Sequence, residues 1–170
     1  LPGSTIADWP IDYEELEPYY AKVESEVGVS GRVDAHGAQD QRSTKDFPFP
    51  PTAEHPIASW VEESCRALQM DPFTVPRAIL SVPHGRRRSC EYSGFCGSYG
   101  CTSGAKGSAR AALLDEAQST GHCTVVPHAK VTRLESDNTG SVTEAVYVDR
   151  AGRDHTVKAT VFVVACQAIE

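Results

Sequence analysis

A glycine-rich loop carrying three cysteines, Cys90-Glu-Tyr-Ser-Gly-Phe-Cys96-Gly-Ser-Tyr-Gly-Cys101, constrains this chain more than any other feature. Five residues separate the first pair and four the second, so one loop could wrap three thiolates around a single small inorganic object. Gly94, Gly97, Gly100 and Gly104 would let the backbone turn sharply and aim its N–H groups at sulfur.

Three chemistries compete for that trio. Six cysteines in a secreted chain would suggest disulfides, but 170 residues with 40% hydrophobic content suit a domain with its own core. Zinc wants four nitrogen or sulfur ligands, and the loop supplies three unless His84, Cys65 or Cys123 joins. An iron–sulfur cluster with one corner iron missing needs just three soft thiolates, and unliganded thiols are the remaining case. Arg86-Arg87-Arg88 immediately precedes Cys90. Such a run is ordinarily a solvated loop, though its charge would also favour thiolates, offset a cluster's negative charge or dock an acidic electron acceptor.

The net charge of −7 argues against nucleic acid as the main partner, and no apolar run approaches the ~18 residues of a membrane span. The first residues, Leu1-Pro2-Gly3-Ser4, carry neither start methionine nor signal peptide, and the last follow directly on a buried-strand pattern. We therefore expect the interior of a longer protein.

Helical signals fill the first half. Asp12 with Glu15 forms a capping pattern, Leu16, Tyr20, Val23 and Val27 recur on one face, and Gly28 is a stop, with a break or kink expected near Pro18. Residues 29–54 look like a long connection, ending in the extended Phe47-Pro48-Phe49-Pro50-Pro51. A second helix should place Ile57, Trp60, Val61, Cys65 and Leu68 on one face, with Cys65 as a small core residue. A third runs from Ser108 to Ser119 and closes at Gly121. Strands follow at Cys123–Leu134, Ser141–Asp149 and Asp154–Ala159, with turns at 137–140 and at Ala151-Gly152. The continuous apolar run Val161-Phe162-Val163-Val164-Ala165 has the signature of a strand buried on both faces.

Other chemistry is sparse. Gly104-Ala105-Lys106-Gly107-Ser108 breaks the order of a phosphate loop, and neither Gly-x-Gly-x-x-Gly nor Gly-x-Ser-x-Gly occurs. The six histidines form no His-x-x-x-His array, so no acid–base machinery is recognisable.

Several longer stretches nevertheless resemble one family. Asp8-Trp9-Pro10-Ile11-Asp12-Tyr13 with Leu16-Glu17-Pro18-Tyr19-Tyr20, Pro76-Arg77-Ala78-Ile79-Leu80, the segment from Cys90 to Lys106, and Val161 to Glu170 are similar to the interior of glucose–methanol–choline oxidoreductases. The likeness is greatest to flavoprotein subunits of bacterial gluconate, sorbitol, fructose and FAD-dependent glucose dehydrogenases. It implies an α/β chain cut from an FAD/NAD(P)-binding-type fold. Residues 1–107 would be a helical, substrate-side cap with the cysteine loop, and 108–170 a part of the FAD-binding domain, with a helix, a β-meander and a central parallel strand.

It also implies FAD as cofactor, near Val131 and near the turn of Ala165, Cys166 and Ala168, where Gln167 replaces the glycine of many members. A three-iron, four-sulfide cluster on Cys90, Cys96 and Cys101 is implied as well. By the same resemblance the enzyme oxidises the CH–OH group of a sugar, polyol or sugar acid and passes electrons through the cluster to a cytochrome or quinone-linked acceptor. A small subunit and a cytochrome c subunit are the implied partners. Its implied place is the periplasmic face, membrane-associated through a partner, after cytoplasmic maturation. No catalytic residue is assigned, because the family's glycine fingerprint and catalytic histidine lie in parts with no counterpart here. The competing expectations are a non-catalytic, zinc-stapled interaction module and an oxidase-like member whose thiols bind nothing.

Overall fold

A computed structural model describes Gly3, Thr5 and residues 7–33, 42–97 and 99–167. The chain divides into two compact units, Leu1–Cys123 and Thr124–Glu170. The helix that follows the cysteine loop thus lies with the first unit, where Ala112 is buried.

Helix α1 spans Tyr13–Val27. Its capping box is reciprocal: Glu15 N–H donates to Asp12 Oδ1 at 2.9 Å, and Asp12 N–H to Glu15 Oε2 at 3.2 Å. Gly28 ends it in the left-handed region at φ 85°. Of the break or kink expected near Pro18, no break occurs: the helix runs through it. Pro18, the sixth residue of α1, has no N–H to give the carbonyl of the exposed Glu14, and the helix continues past that missing bond.

The inward face of α1 is also turned from the expected one. Glu17 is 6% exposed, whereas Tyr20 and Val23 are exposed. The acidic side chains explain the turn: Ser43 N–H donates to Glu17 Oε1 at 2.8 Å, and Arg42, stacked 4.0 Å over the Phe47 ring, pairs with Glu24.

The connection that follows is tied down at Ser30, 2% exposed, which bridges two distant segments. It exchanges backbone bonds with Arg77 at 2.8 and 2.9 Å, while Gly31 and Val29 pair with Phe49. Ser81 N–H donates to Ser30 Oγ at 3.0 Å, closing the knot. Leu80, fully buried, and Ala105 form the adjoining core, joined by Leu80 N–H to Ala105 C=O at 3.0 Å.

Helix α2, Pro56–Ala67, forms where expected, but its apolar face is not packed: Trp60 is 69% exposed and Cys65 only half-buried. The third helix begins as a π-turn, Arg110–Leu114, and continues as α3, Asp115–Ser119.

The second unit is an antiparallel meander in the order β1-β2-β3, made of Lys130–Ser136, Val142–Val148 and Asp154–Lys158. β1 starts later than the sequence suggests, and its register shifts between Val131 and Arg133. The apolar run 161–165 is not a strand here, and Val163 is 85% exposed. A strand covered on both faces needs neighbours to pair with, and the meander's edges do not pair with it among the described residues.

Candidate functional site

Both ends of the cysteine loop are fastened to the core of the first unit. His84 and Arg87 exchange backbone bonds at 3.0 Å around Gly85, Cys90 N–H donates to Leu80 C=O at 2.8 Å, and Arg88 N–H to Ser103 C=O at 3.2 Å. The chain returns through Gly104, at φ 72°, to Lys106, which bridges to Ile79. Between these anchors the loop is largely exposed, held by Ala53 N–H donating to the Tyr92 hydroxyl at 2.7 Å and by Lys106 at the Cys96 carbonyl. Gly94, Gly97 and Gly100 are not in the left-handed region, and a side chain on any of them would meet nothing within 4 Å. Left-handed backbone occurs instead at Tyr92, φ 51°, and at Gly104, the one of the four glycines that adopts it.

The three thiols sit in different settings. Cys90 is half-buried and its sulfur accepts the Tyr92 N–H at 3.4 Å. Cys96 is exposed, its carbonyl taking the Lys106 ammonium at 2.6 Å. Cys101 is exposed, with Sγ 3.4 Å from Ser103 Oγ. That hydroxyl, helped by the N–H groups of Lys106, Ala105 and Ser103, pulls the Cys101 thiol down to about 7.

All six cysteines are free thiols. Among the described residues, however, no three His, Cys, Asp or Glu side chains converge closely enough to hold a metal ion. The trio is therefore not a preassembled ligand set, and neither His84, Cys65 nor Cys123 completes a zinc site with it. The donor chemistry still suits iron and sulfide: three reduced thiols share one open loop, and one of them is biased toward thiolate.

The arginine run is split by the fold. Arg86 and Arg88 point outward, Arg88 pairing with Glu91 at 2.9 Å. Arg87 turns inward and spends its guanidinium on three carbonyls, those of Gly104, Val27 and Ala105. Burial lowers its pKa, while the nearby Cys101 thiolate works the other way. A cleft of about 930 Å³ opens beside it, its lining including Glu26, Arg86, Cys101, Lys106, Ala112 and Glu116. Nothing in the Arg86-Arg87-Arg88 run itself distinguishes Arg87 from its two neighbours. Ser103 was equally invisible, since only the turn after Cys101 brings its hydroxyl to sulfur.

In the second unit, Val131 lies on β1 at the register shift and is 58% exposed. Ala165 and Cys166 are exposed, and Ala168 lies outside the described residues. Gln167 has φ 72°, a conformation that favours glycine.

No family model matches the chain. Curated relatives do. It is 36% identical over 169 residues to paromamine 6'-oxidase of Streptomyces fradiae, covering 99% of this chain and 30% of that protein. It is 34% identical to 6'''-hydroxyparomomycin C oxidase of Streptomyces lividus, over 95% of this chain and 29% of the relative. Gluconate 2-dehydrogenase flavoprotein of Pantoea cypripedii is 25% identical over 89% of this chain and 28% of its own length. The chain belongs to the glucose–methanol–choline oxidoreductases. It spans about 30% of the length of the relatives it matches.

Proposed function

We propose that the whole protein is an FAD-dependent oxidoreductase that oxidises a CH–OH group of a sugar, amino sugar or polyol. The observation that carries this reading is the near-complete match of the chain to two oxidases whose names specify paromamine and a hydroxyparomomycin, with a gluconate dehydrogenase flavoprotein beside them. An acidic protein, net charge −7 over this stretch, also suits a cationic amino sugar better than a sugar acid.

Bound FAD supplies a hydride acceptor, and an iron–sulfur cluster supplies one-electron exit toward an external cytochrome or quinone-linked acceptor. Cys90, Cys96 and Cys101 are the residues proposed to hold that cluster, with a small subunit and a cytochrome c subunit as partners at a periplasmic membrane face. The Ser103 hydroxyl and the amides that follow it stabilise the Cys101 sulfur as an anion. Lys106 ties the loop's midpoint, at the Cys96 carbonyl, to its base. The exposed Val131 and the turn of Ala165, Cys166 and Ala168 are the proposed FAD contacts, within an FAD/NAD(P)-binding-type fold.

A second reading has its own support. The two relatives of highest identity are named oxidases, and the three thiols do not converge. In that case the protein is a cluster-free member that returns electrons to dioxygen.

The full-length protein, purified without air, tests both. Bleaching of flavin absorption by an amino-sugar or sugar alcohol is expected, with iron and acid-labile sulfide present. Cys96→Ser should leave that bleaching intact and slow electron exit to cytochrome or dye. Bleaching without iron, followed by rapid reoxidation in air, selects the second reading. Flavin that no sugar, amino sugar or polyol reduces would overturn both.

A further inference from the structure

We propose that Arg87 is the positioning residue of the cysteine loop, clamping the C-terminal end of α1 to the turn that carries Cys101. Its Nη1 donates to Val27 C=O at 2.7 Å, its Nε to Gly104 C=O at 2.9 Å and its Nη2 to Ala105 C=O at 3.2 Å. Val27 is the last residue of α1, and carbonyls there have no partner within the helix. α1 carries no basic residue in its last turn, so the Arg87 guanidinium supplies from elsewhere the positive charge that a helix C-terminus favours.

The other two carbonyls belong to the stretch whose N–H groups face Cys101 sulfur. Holding Gly104 and Ala105 by their oxygens fixes the orientation of the intervening peptides. Those are the peptides that direct N–H groups at Cys101, the last thiol of the loop. A planar fork of five donors spans three acceptors at once, which a lysine ammonium on a flexible stem does not. The backbone reinforces the clamp on the same side, through Arg88 N–H to Ser103 C=O at 3.2 Å and Leu80 N–H to Ala105 C=O at 3.0 Å. Arg86 and Arg88, identical in chemistry and adjacent in sequence, make no such contacts among the described residues, so a clamp and a general basic patch give opposite expectations for the three positions.

The consequence for a cluster rests on the function proposed above, whereas the clamp itself does not. The test uses the full-length protein with Arg87→Met, Arg87→Lys, Arg86→Met and Arg88→Met. Hydrogen–deuterium exchange read on peptides covering residues 101–107 should quicken about tenfold in both Arg87 variants, the protection lost with one or two hydrogen bonds, and stay unchanged in the other two. The EPR line shape and midpoint potential of the cluster should shift in the Arg87 variants alone. If Arg87→Met does not fold, Arg87→Lys decides, because it keeps the charge and the stem while losing the fork. Unchanged exchange at 101–107 in the folded Arg87 variants, or equal effects at all three arginines, overturns the proposal. A wild-type protein without iron would sink the cluster assignment while leaving the exchange measurement to decide the clamp.

Discussion

Cys101 Sγ lies 3.4 Å from the hydroxyl of Ser103. Three amides, those of Ser103, Ala105 and Lys106, add to that contact, and together they bring the thiol to about 7. A thiol with that value is about half ionised at neutral pH, and only the thiolate attacks an alkylating agent. Removing the largest contribution, with Ser103→Ala, should raise the pKa toward the ordinary thiol value. In reduced, iron-free protein the midpoint of the pH–rate curve for iodoacetamide at Cys101, followed by peptide mass spectrometry, should therefore move upward. The rate at pH 7 should fall severalfold, and superimposable curves would exclude the hydroxyl as the cause.

Gly28 terminates α1 at φ 85°, and a Cβ added there would collide with the side chain of Leu80. Leu80 is fully buried and has no free direction to yield. Gly28→Ala should therefore incur both the left-handed backbone penalty and an overpacking cost, about 2–4 kcal/mol in all. Gly94 is the comparison, since its backbone is not left-handed and its surroundings are empty. Gly94→Ala should stay within about 0.5 kcal/mol of wild type. Denaturant titration of the full-length variants separates the two, and equal stabilities would contradict the packing described at Leu80.

The parts of this fold written in local chemistry were legible in advance. Asp12 and Glu15 announce a capping box, Gly28 a stop, and residues 137–140 and Ala151-Gly152 the two turns of the meander, because each depends on residues a few positions apart. The face of α1 was not legible in that way. Glu17 and Glu24 face inward because Ser43 and Arg42, far along the chain, meet them. A hydrophobic pattern has no term for a carboxylate satisfied by a distant loop. The exposed face of α2 and the apolar run 161–165 depart from expectation in the other direction: their apolar side chains are mostly exposed among the described residues. The cysteine site shows the same division. Spacing identified the three candidate thiols, while the difference between Arg87 and its neighbours depends on where α1 ends.

Asp149 ties the β2–β3 turn together with both carboxylate oxygens. Oδ1 accepts the N–H groups of Ala151 at 2.8 Å and Arg153 at 3.0 Å, and Oδ2 meets Arg153 Nε at 3.0 Å and His155 Nε2 at 2.9 Å. The His155 ring in turn stacks on Tyr147, with centroids 5.1 Å apart. These bonds, the Arg153 N–H first and the His155 ring next, pull the carboxyl from its ordinary 3.8 to about 2. A carboxylate depressed on folding stabilises the folded chain above its unfolded pKa, and that contribution fades as pH falls through the folded value. The Asp149 contribution should therefore be complete above about pH 5 and disappear between about pH 4 and pH 2. Asp149→Asn keeps an acceptor oxygen but cannot carry the charge. It should be less stable than wild type at pH 6, with a gap in melting temperature that closes as the solution is acidified through that window. Melting curves of the two proteins that ran parallel from pH 6 to pH 2 would remove Asp149 from the titrating groups that hold the meander.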